Sequence, residues 1–513
     1  MGVKKIPYLG VNGYNKRTLF VEDKPFMVLG GELHNSAASN PEHMEKEVWP
    51  YIRELHMNTV ILPIAWEEIE PEEGTWEFSL IDELLRQARR ENVKIVLLWF
   101  GLWKNGESYY VPEWVKRDTV RFFRNRYFGG AISATISPVC QEAIEADSKA
   151  FAALMAHLAD VDIYDRTVIS VQVENEIGFL GGERDFSEQA TELYGQNMPI
   201  EAENFWKVKG NWKEALGEDA PEFFMAWQYA KAIERIAAAG KKEYPIPMYI
   251  NAWIEQHPDH PGEYPSGGPV AKLVPFWLKF APSIDFVAPD IYHPNFKGVC
   301  ESYLAGGNEY FIPEARRDPI TASNVFYAFG GIQAMGYSPF AVEDFCRDNI
   351  EAPDEKLLRS LNIDLSGFNC FGTAPFIQKS YEVLEGLLPL IAEKRGSSEM
   401  IGFIRATNVE RGCTIPLEKF DLQLDYIIED VGKPGCAGIV FPVEDGFFIT
   451  GCNVKFTARP KKGSEQNVMT IRLQEGAFID GEWKPGRILN GDELHDNSIG
   501  SMAETKYMKV QVY

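Results

Sequence analysis

Two carboxylates and an amide stand at the end of an apolar run in the stretch VISVQVENEIGFLGG, residues 168–182. The run predicts a buried β-strand, and Glu174, Asn175 and Glu176 follow where that strand ends. A further acid, Glu314, ends the distant apolar run EYFIPEA. Two carboxyl groups on different strand ends can divide nucleophilic and acid–base work when their surroundings give them different pKa values. Such chemistry requires a fold that brings distant strand ends together.

Apolar runs alternate with helical stretches through most of the chain. The predicted strands are 25–34, 58–66, 93–100, 167–176, 245–253, 284–293, 309–315 and 336–343. The predicted helices include 41–56, 79–92, 140–160, 222–240 and 380–398. Continuous apolar strands separated by helices indicate a parallel sheet with covered faces, and eight such units predict an α/β fold of the (β/α)8 TIM-barrel class. A doubly wound sheet is the alternative, but no GxGxxG sequence follows an early strand.

The 513 residues exceed one ordinary hydrophobic core, so we expect more than one domain. We assign residues 1–396 to the barrel, with a polar insertion near 180–218. Apolar and polar residues then alternate between Gly, Asp and Pro, which predicts a C-terminal antiparallel β-sandwich-like domain over 397–513. The sequence leaves open whether this domain binds glycan, caps the barrel or forms an oligomer interface.

Composition excludes several classes of partner. The formal net charge of −24 argues against nucleic acid, whose phosphates would be repelled. No apolar run is long enough to cross a membrane. The seven cysteines are odd in number, widely spaced and without CxxC, which is typical of reduced thiols in a cytoplasmic protein rather than a disulfide framework or zinc site. We therefore expect a cytoplasmic protein without a metal or other cofactor, either monomeric or a homo-oligomer.

The predicted strand ends carry acids, amides and aromatic rings. Besides the two glutamates, the candidates for binding a substrate are Asn175, Trp103, Tyr292, Glu32, His34, Trp253 and Glu343. Rings stack on the C–H faces of a sugar while amides and carboxylates bind its hydroxyls, so a carbohydrate substrate is predicted. Trp103 is interpreted either as a sugar platform or as a core residue. Tyr292 either donates a hydrogen bond to Glu314 or only packs, and His34 is either structural or a proton carrier.

Three segments resemble known families of glycoside hydrolases. QVENEIG resembles the QxENEYG segment of family 35, and LGGELH resembles the SGEIH segment of its first strand. IAWEEIEPEEGTWEF resembles the W-x-x-x-E-P-x-x-G-x-[FY]-x-F signature shared by families 35 and 42. The matches keep their order and cover about residues 25–180. The chain therefore resembles retaining barrel hydrolases with a β-galactosidase-type core.

The resemblance implies a role for each matching residue. Glu176 would be the general acid/base, Asn175 would bind the sugar 2-hydroxyl, and Glu314 would be the nucleophile of a double-displacement mechanism. Glu174 would then be a structural residue, or one that supports the site without touching the substrate. The implied activity is that of a retaining β-glycosidase, first of all a β-galactosidase.

The sequence departs from family 35 at three places. Glu67 and Ile69 bring the strand-two segment closer to family 42, WFGLWKNGES replaces RPGPYxxxEW, and EAR replaces EFW around Glu314. These differences leave two alternatives open. One is a retaining β-glycosidase for another sugar, such as a glucoside, fucoside or arabinoside, and the other is a non-catalytic barrel that binds carbohydrate.

Overall fold

The computed structural model describes residues 5–347, 355–360, 364–428, 432–464, 468–490, 494–495, 498–499, 501–502 and 506–512. Its central feature is a barrel of eight parallel strands, which confirms the predicted fold class. The strands are β1 (Val28–Glu32), β2 (Thr59–Ala65), β3 (Lys94–Lys104), β4 (Val168–Asn175), β5 (Met248–Trp253), β6 (Phe286–Asp290), β7 (Ile312–Ala315) and β8 (Gly336–Pro339). Their spatial order is β6-β5-β4-β3-β2-β1-β8-β7.

The barrel closes between β6 and β7 through a short bridge. The amide of Ile291 donates to the carbonyl of Glu314 at 2.9 Å, and the amide of Arg316 donates to the carbonyl of Ile291 at 3.1 Å. This seam holds the chain just after β6 beside the chain at the end of β7. It therefore determines which side chains meet at that part of the barrel mouth.

Helices cover the outside of the barrel. They are α1 (Trp49–Glu54), α2 (Ser79–Glu91), α3 (Gln141–Asp162), α4 (Ala220–Glu243), α5 (Val274–Phe280), α6 (Phe296–Ser302), α7 (Thr321–Gly330) and α8 (Ala374–Lys394). A π turn over Met44–Val48 precedes α1, so the predicted helix 41–56 is interrupted. The predicted insertion contains three short helices, Glu188–Gly195, Ile200–Trp206 and Trp212–Leu216. No helix in the described parts of the chain is long and apolar enough to span a bilayer.

The barrel strands are apolar on both faces because both faces are buried. On β2, Ile61 belongs to the core inside the barrel, whereas Val60 and Leu62 pack toward the helices. Leu19 and Val21, from an N-terminal hairpin, join the inner core. They close the end of the barrel that lies opposite the C-terminal ends of its strands. This double burial explains why the strands appear in the sequence as continuous apolar runs.

The C-terminal part is an antiparallel β-sandwich, as predicted. Its strands are β9 (Ile401–Ile404), β10 (Gly412–Pro416), β11 (Asp421–Tyr426), β12 (Ala437–Val443), β13 (Gly446–Cys452), β14 (Val454–Arg459), β15 (Thr470–Ile479), β16 (Glu482–Ile488), β17 (Leu494–His495), β18 (Ser498–Ile499), β19 (Ser501–Met502) and β20 (Lys506–Val512). One sheet has the order β9-β12-β13-β20-β15-β16, and the other has the order β10-β11-β14-β19.

The six-stranded sheet lies between the four-stranded sheet and the barrel. On β12, Val440 faces the sandwich core, whereas its neighbours Ile439 and Phe441 belong to the barrel's outer core. Phe478 joins that same outer core beside α8. Because barrel and sheet share one apolar cluster, the limits 1–396 and 397–513 remain a prediction about domain organisation.

Candidate active site

The backbone after β4 turns sharply and separates the two glutamates of the ENE segment. Glu174 has φ of 62° and Glu176 has φ of 46°, both in the left-handed region that residues other than glycine rarely adopt. The amide of Glu176 donates to Asn251 Oδ1 at 2.8 Å, which fixes this conformation from the end of β5. Such backbone conformations persist where the surroundings impose them, and they occur often at functional sites.

Glu174 holds the neighbouring strand rather than facing the barrel mouth. It is fully buried and accepts hydrogen bonds from the amides of Leu102, at 3.0 Å, and Trp103, at 2.7 Å. Asp147 from α3 accepts from the same Leu102 amide and from the indole of Trp99. Burial, reinforced by the charge of Asp147, raises the pKa of Glu174 well above its usual range. These contacts are those of a structural residue, as expected for Glu174.

Gly101 gives Glu174 the space that these bonds require. A Cβ atom at Gly101 would lie 2.5 Å from Glu174 Oε1 and 2.6 Å from Asp147 Oδ2. We predict that Gly101→Ala lowers the free energy of unfolding by about 1–3 kcal/mol, since a methyl group forced into a packed site displaces its neighbours. Urea unfolding followed by fluorescence measures the change. Gly195→Ala is the control, because nothing lies within 4 Å of that position. Equal midpoints for both variants would contradict the prediction.

Glu314, at the end of β7, is held by a tyrosine. Tyr292 donates its hydroxyl to Glu314 Oε1 at 2.5 Å, and its ring stacks on Phe368 with 4.2 Å between ring centroids. The two arginines that follow Glu314 in sequence pair with other acids, Arg316 with Asp318 and Arg317 with Asp344. Glu314 is therefore not the partner of either arginine, although the sequence EARR would allow such an ion pair at the surface.

Four carboxyl groups from different strands meet in this region. Burial, and then the charge of Glu314, raise the pKa of Glu176 to about 8. Burial also raises the pKa values of Glu32 and Asp290 well above their usual range. The pKa of Glu314 is raised by burial too, but Lys104 and hydrogen bonds from Tyr292 and Glu32 act in the opposite direction. Lys104 and these hydrogen bonds therefore favour the anion of Glu314, whereas the charge of Glu314 favours the protonated form of Glu176.

Glu176 and Glu314 line one cavity at the barrel mouth. Its volume is about 230 Å³, roughly the space of seven or eight water molecules. Its other lining residues are Asn35, Lys104, Asn105, Trp253, Ile254, Gln256, Asp290, Tyr292, His293, Phe340, Leu358, Asp364 and Phe368. Of the residues predicted to bind substrate, Trp253 and Tyr292 line this cavity. Charged, amide and aromatic groups together make it suited to a small polar ligand with apolar faces.

Two further predicted residues lie in or beside the carboxyl cluster. Glu32 is 1% exposed and contributes to the raised pKa values of Asp290 and Tyr292. Asn175 is also 1% exposed. Within the described residues, Glu32 Oε2 and Asn175 Oδ1 are buried without a hydrogen-bond partner. Neither residue is among those that line the cavity, and Glu32 is a hydrogen-bond partner of Glu314.

Three more predicted residues, besides Glu32 and Asn175, lie outside the cavity lining. Trp103 is fully buried, donates its indole N–H to the carbonyl of Ile136 at 2.9 Å, and packs edge-on against Tyr229. Trp103 is therefore a core residue, which was one of its two interpretations. Its position does not support the other interpretation, a platform for a sugar ring. His34 Nε2 pairs with Asp344 at 2.7 Å, and the His34 amide donates to Glu343 at 2.9 Å. These bonds place both residues in a supporting network between β1 and the chain after β8.

Sequence analysis did not select four residues that the structure brings to the site. Asn251 links Glu176 to β6, because its Nδ2 donates to Asp290 Oδ2 at 2.6 Å. Asn251 and Asp290 both lie at the ends of predicted strands, so their positions in the sequence could have identified them as site residues. Lys104 and Phe368 had no comparable signal, since Lys104 lies in the segment that departs from family 35 and Phe368 in the loop after β8. In the part of the chain that the structure describes, no group of three or more His, Cys, Asp or Glu side chains could hold a metal ion.

Two buried glutamates at the ends of the fourth and seventh strands of a TIM barrel form the kind of carboxyl pair that glycoside hydrolysis uses. Residues 38–215 match the model of glycoside hydrolase family 42, described as Beta-galactosidase. This part of the barrel is similar to that family, and the three motifs found in the sequence lie within or next to it. Residues 377–499 match a second model, described as Domain of unknown function (DUF5597). No curated protein sequence matches the chain.

Solved structures that are similar to this chain include two beta-galactosidases and the catalytic domain of a beta-amylase. The beta-galactosidase from Bacillus circulans sp. alkalophilus is 14% identical over 71% of this chain and 57% of its own, with a TM-score of 0.50. The beta-galactosidase from Rahnella sp. R3 is 14% identical over 72% of this chain and 57% of its own, with a TM-score of 0.48. The catalytic domain of beta-amylase from Paenibacillus polymyxa is 11% identical over 69% of this chain and 97% of its own, with a TM-score of 0.49. The chain spans 57% of the length of each of these two beta-galactosidases, and at such identities the likeness concerns the fold alone.

Proposed function

We propose that the protein is a retaining β-glycosidase and that its preferred substrates carry a terminal β-linked galactose. The observation that carries the proposal is the pairing of Glu176, whose pKa is raised to about 8, with a tyrosine-held Glu314 in one small cavity. A retaining enzyme needs one protonated and one ionised carboxyl on either side of the scissile bond. The match to a family model described as Beta-galactosidase supports galactose as the first sugar to test.

In the first step, Glu314 attacks the anomeric carbon while Glu176 gives its proton to the leaving oxygen. The glycosidic C–O bond breaks, and an ester bond forms between the sugar and Glu314. That ester removes the negative charge of Glu314, which is one cause of the raised pKa of Glu176. Glu176 then remains ionised more easily and takes a proton from water. The water attacks the anomeric carbon, releases the sugar with its β configuration and restores Glu314.

Several residues are proposed to bind the sugar. The ring of Trp253 lies at the cavity and offers a face for sugar C–H groups. Asn175 directly precedes Glu176, and Glu32 is a hydrogen-bond partner of Glu314. Both are proposed to bind sugar hydroxyls, and the resemblance to family 35 assigns the 2-hydroxyl to Asn175. His34 and Glu343 are proposed to support β1 at the site through their mutual hydrogen bond.

A panel of p-nitrophenyl glycosides tests the function, with NMR to identify the anomer released first. We expect the β-galactoside to be hydrolysed fastest, to release β-galactose, and to remain a substrate after dialysis against EDTA. Faster turnover of a β-glucoside, β-fucoside or arabinoside would change the proposed sugar preference and leave the proposed mechanism unchanged. Initial release of the α-anomer would contradict retention. Sugar binding without turnover of any glycoside would favour the non-catalytic barrel.

A further inference from the structure

The loop after β8 is attached to the chain around Glu314 by a buried arginine. Arg316 has a side chain that is only 2% exposed, and it occupies the third position of EAR, where family 35 has the Trp of EFW. Its guanidinium donates twice to Asp318, at 2.5 and 3.0 Å, and once to Ser366 Oγ at 3.0 Å. A buried guanidinium with charge-assisted bonds is held in one geometry, since losing a partner would leave an uncompensated charge.

This arginine fixes the segment 364–368, which we call the anchored segment. Asp364 caps the short turn by accepting from the amide of Ser366 at 3.0 Å and lies 3.5 Å from the Arg316 guanidinium. The amide of Arg317 donates to the carbonyl of Gly367 at 2.6 Å. Side-chain and backbone bonds therefore connect the anchored segment to the two residues that follow the end of β7.

The anchored segment contacts the tyrosine that holds Glu314. The ring of Phe368 lies parallel to that of Tyr292, with an interplanar angle of 6° and 4.2 Å between centroids. Arg316 also donates to the carbonyl of Tyr292 at 3.3 Å. Tyr292 is thus fixed by its ring face, its backbone and its hydroxyl, and the hydroxyl is bonded to Glu314. Asp364 and Phe368 both line the cavity.

We propose that the anchored segment positions the nucleophile and forms one wall of the sugar site: Arg316 fixes the segment, and Phe368 holds Tyr292 so that its hydroxyl stays on Glu314. The inference rests on the role proposed for Glu314. Phe368 and Arg316 are positioning residues in this scheme, because they act on Glu314 through Tyr292.

The test compares Phe368→Leu, which removes the ring, with Phe368→Tyr, which keeps it. We expect Phe368→Leu to lower kcat/KM for an aryl β-glycoside roughly tenfold through misplaced groups and to move the acidic limb of the pH profile to higher pH. The limb moves because Glu314 loses a hydrogen bond that favours its anion. Phe368→Tyr keeps the ring that stacks on Tyr292, so its acidic limb should stay at the wild-type pH. The other titratable groups that interact with Glu314 are unchanged in both variants; they are Glu32, Lys104, Glu176, Tyr249 and Asp290.

A double variant separates positioning from general packing. If Phe368 acts through Tyr292, the acidic limb of Tyr292→Phe should be the same with and without Phe368→Leu. An unmoved limb in Phe368→Leu, or additive shifts in the double variant, would overturn the inference. Crystal structures of both Phe368 variants test the positioning of Tyr292 without any turnover. They therefore decide the inference even if the wild type hydrolyses no glycoside and the proposed function fails. Tyr292 should leave Glu314 only in the Leu variant, and a retained bond there would refute its positioning by Phe368.

Discussion

Glu314→Ala should lose turnover of aryl β-glycosides by roughly 10⁴-fold or more, because the covalent route disappears with its nucleophile. That loss corresponds to about 5.5 kcal/mol or more in the activation free energy. The cavity left by the carboxyl should admit a small anion, and Glu176 can still protonate the leaving group. Added azide should therefore restore turnover in proportion to its concentration.

The product identifies the face of attack. Azide that occupies the place of Glu314 approaches a β-glycoside from its α face, so the product should be the α-glycosyl azide, which NMR distinguishes from its anomer. Glu67→Gln is the matched control, because Glu67 also follows a barrel strand but pairs with Lys116 and does not line the cavity. It should keep wild-type turnover and form no azide product. Unchanged activity in Glu314→Ala would refute the nucleophile assignment.

The barrel was predictable because every one of its strands is buried on both faces. Such strands appear as apolar runs whatever their neighbours, and β2 agrees with its predicted run to within one residue at each end. The end of β3 was less predictable. It continues to Lys104, beyond the predicted end at residue 100, and Glu174 bonds to the backbone at Leu102 and Trp103. A bond between residues about 70 positions apart leaves no local signal.

The same double burial limits what a sequence says about a site. An aromatic residue near a strand end faces either the mouth or the helices, and apolar neighbours on both faces remove the alternation that would distinguish these directions. Trp103 illustrates the ambiguity, since it packs with Tyr229 of α4. Phe368 illustrates the opposite case, because its place beside Tyr292 depends on Arg316 and a loop about 50 residues further along the chain.

The chemistry of the ENE segment, in contrast, depended on a resemblance. Two glutamates separated by one residue look equivalent in the sequence, and only the family motif assigned the second one to the acid/base role. The structure supplies the physical difference between them: Glu174 is bonded to backbone amides of β3, whereas Glu176 lines the cavity with Glu314. The left-handed backbone at both residues turns their side chains to these different surroundings.

Glu176→Ala should give the second large effect, and its size should depend on the leaving group. Loss of a general acid costs on the order of 10²–10⁴-fold where the leaving oxygen needs a proton. Dinitrophenolate needs none, so formation of the glycosyl–enzyme from a dinitrophenyl glycoside should be spared and the second step should become limiting. For substrates that need the proton, the wild-type kcat/KM should fall as pH rises through about 8, where Glu176 ionises. That basic limb should be absent from the variant.

Azide again separates the roles, now with the opposite stereochemistry. In Glu176→Ala the sugar is still attached to Glu314 on its α face, so azide must attack from the β face and give the β-glycosyl azide. It should accelerate the limiting second step, as seen in kcat for the dinitrophenyl glycoside, while Glu67→Gln remains unaffected. The two alanine variants should thus yield azides of opposite configuration. If both variants yielded the same anomer, the double-displacement assignment would be wrong, and exchanged anomers would mean that Glu314 is the acid/base and Glu176 the nucleophile.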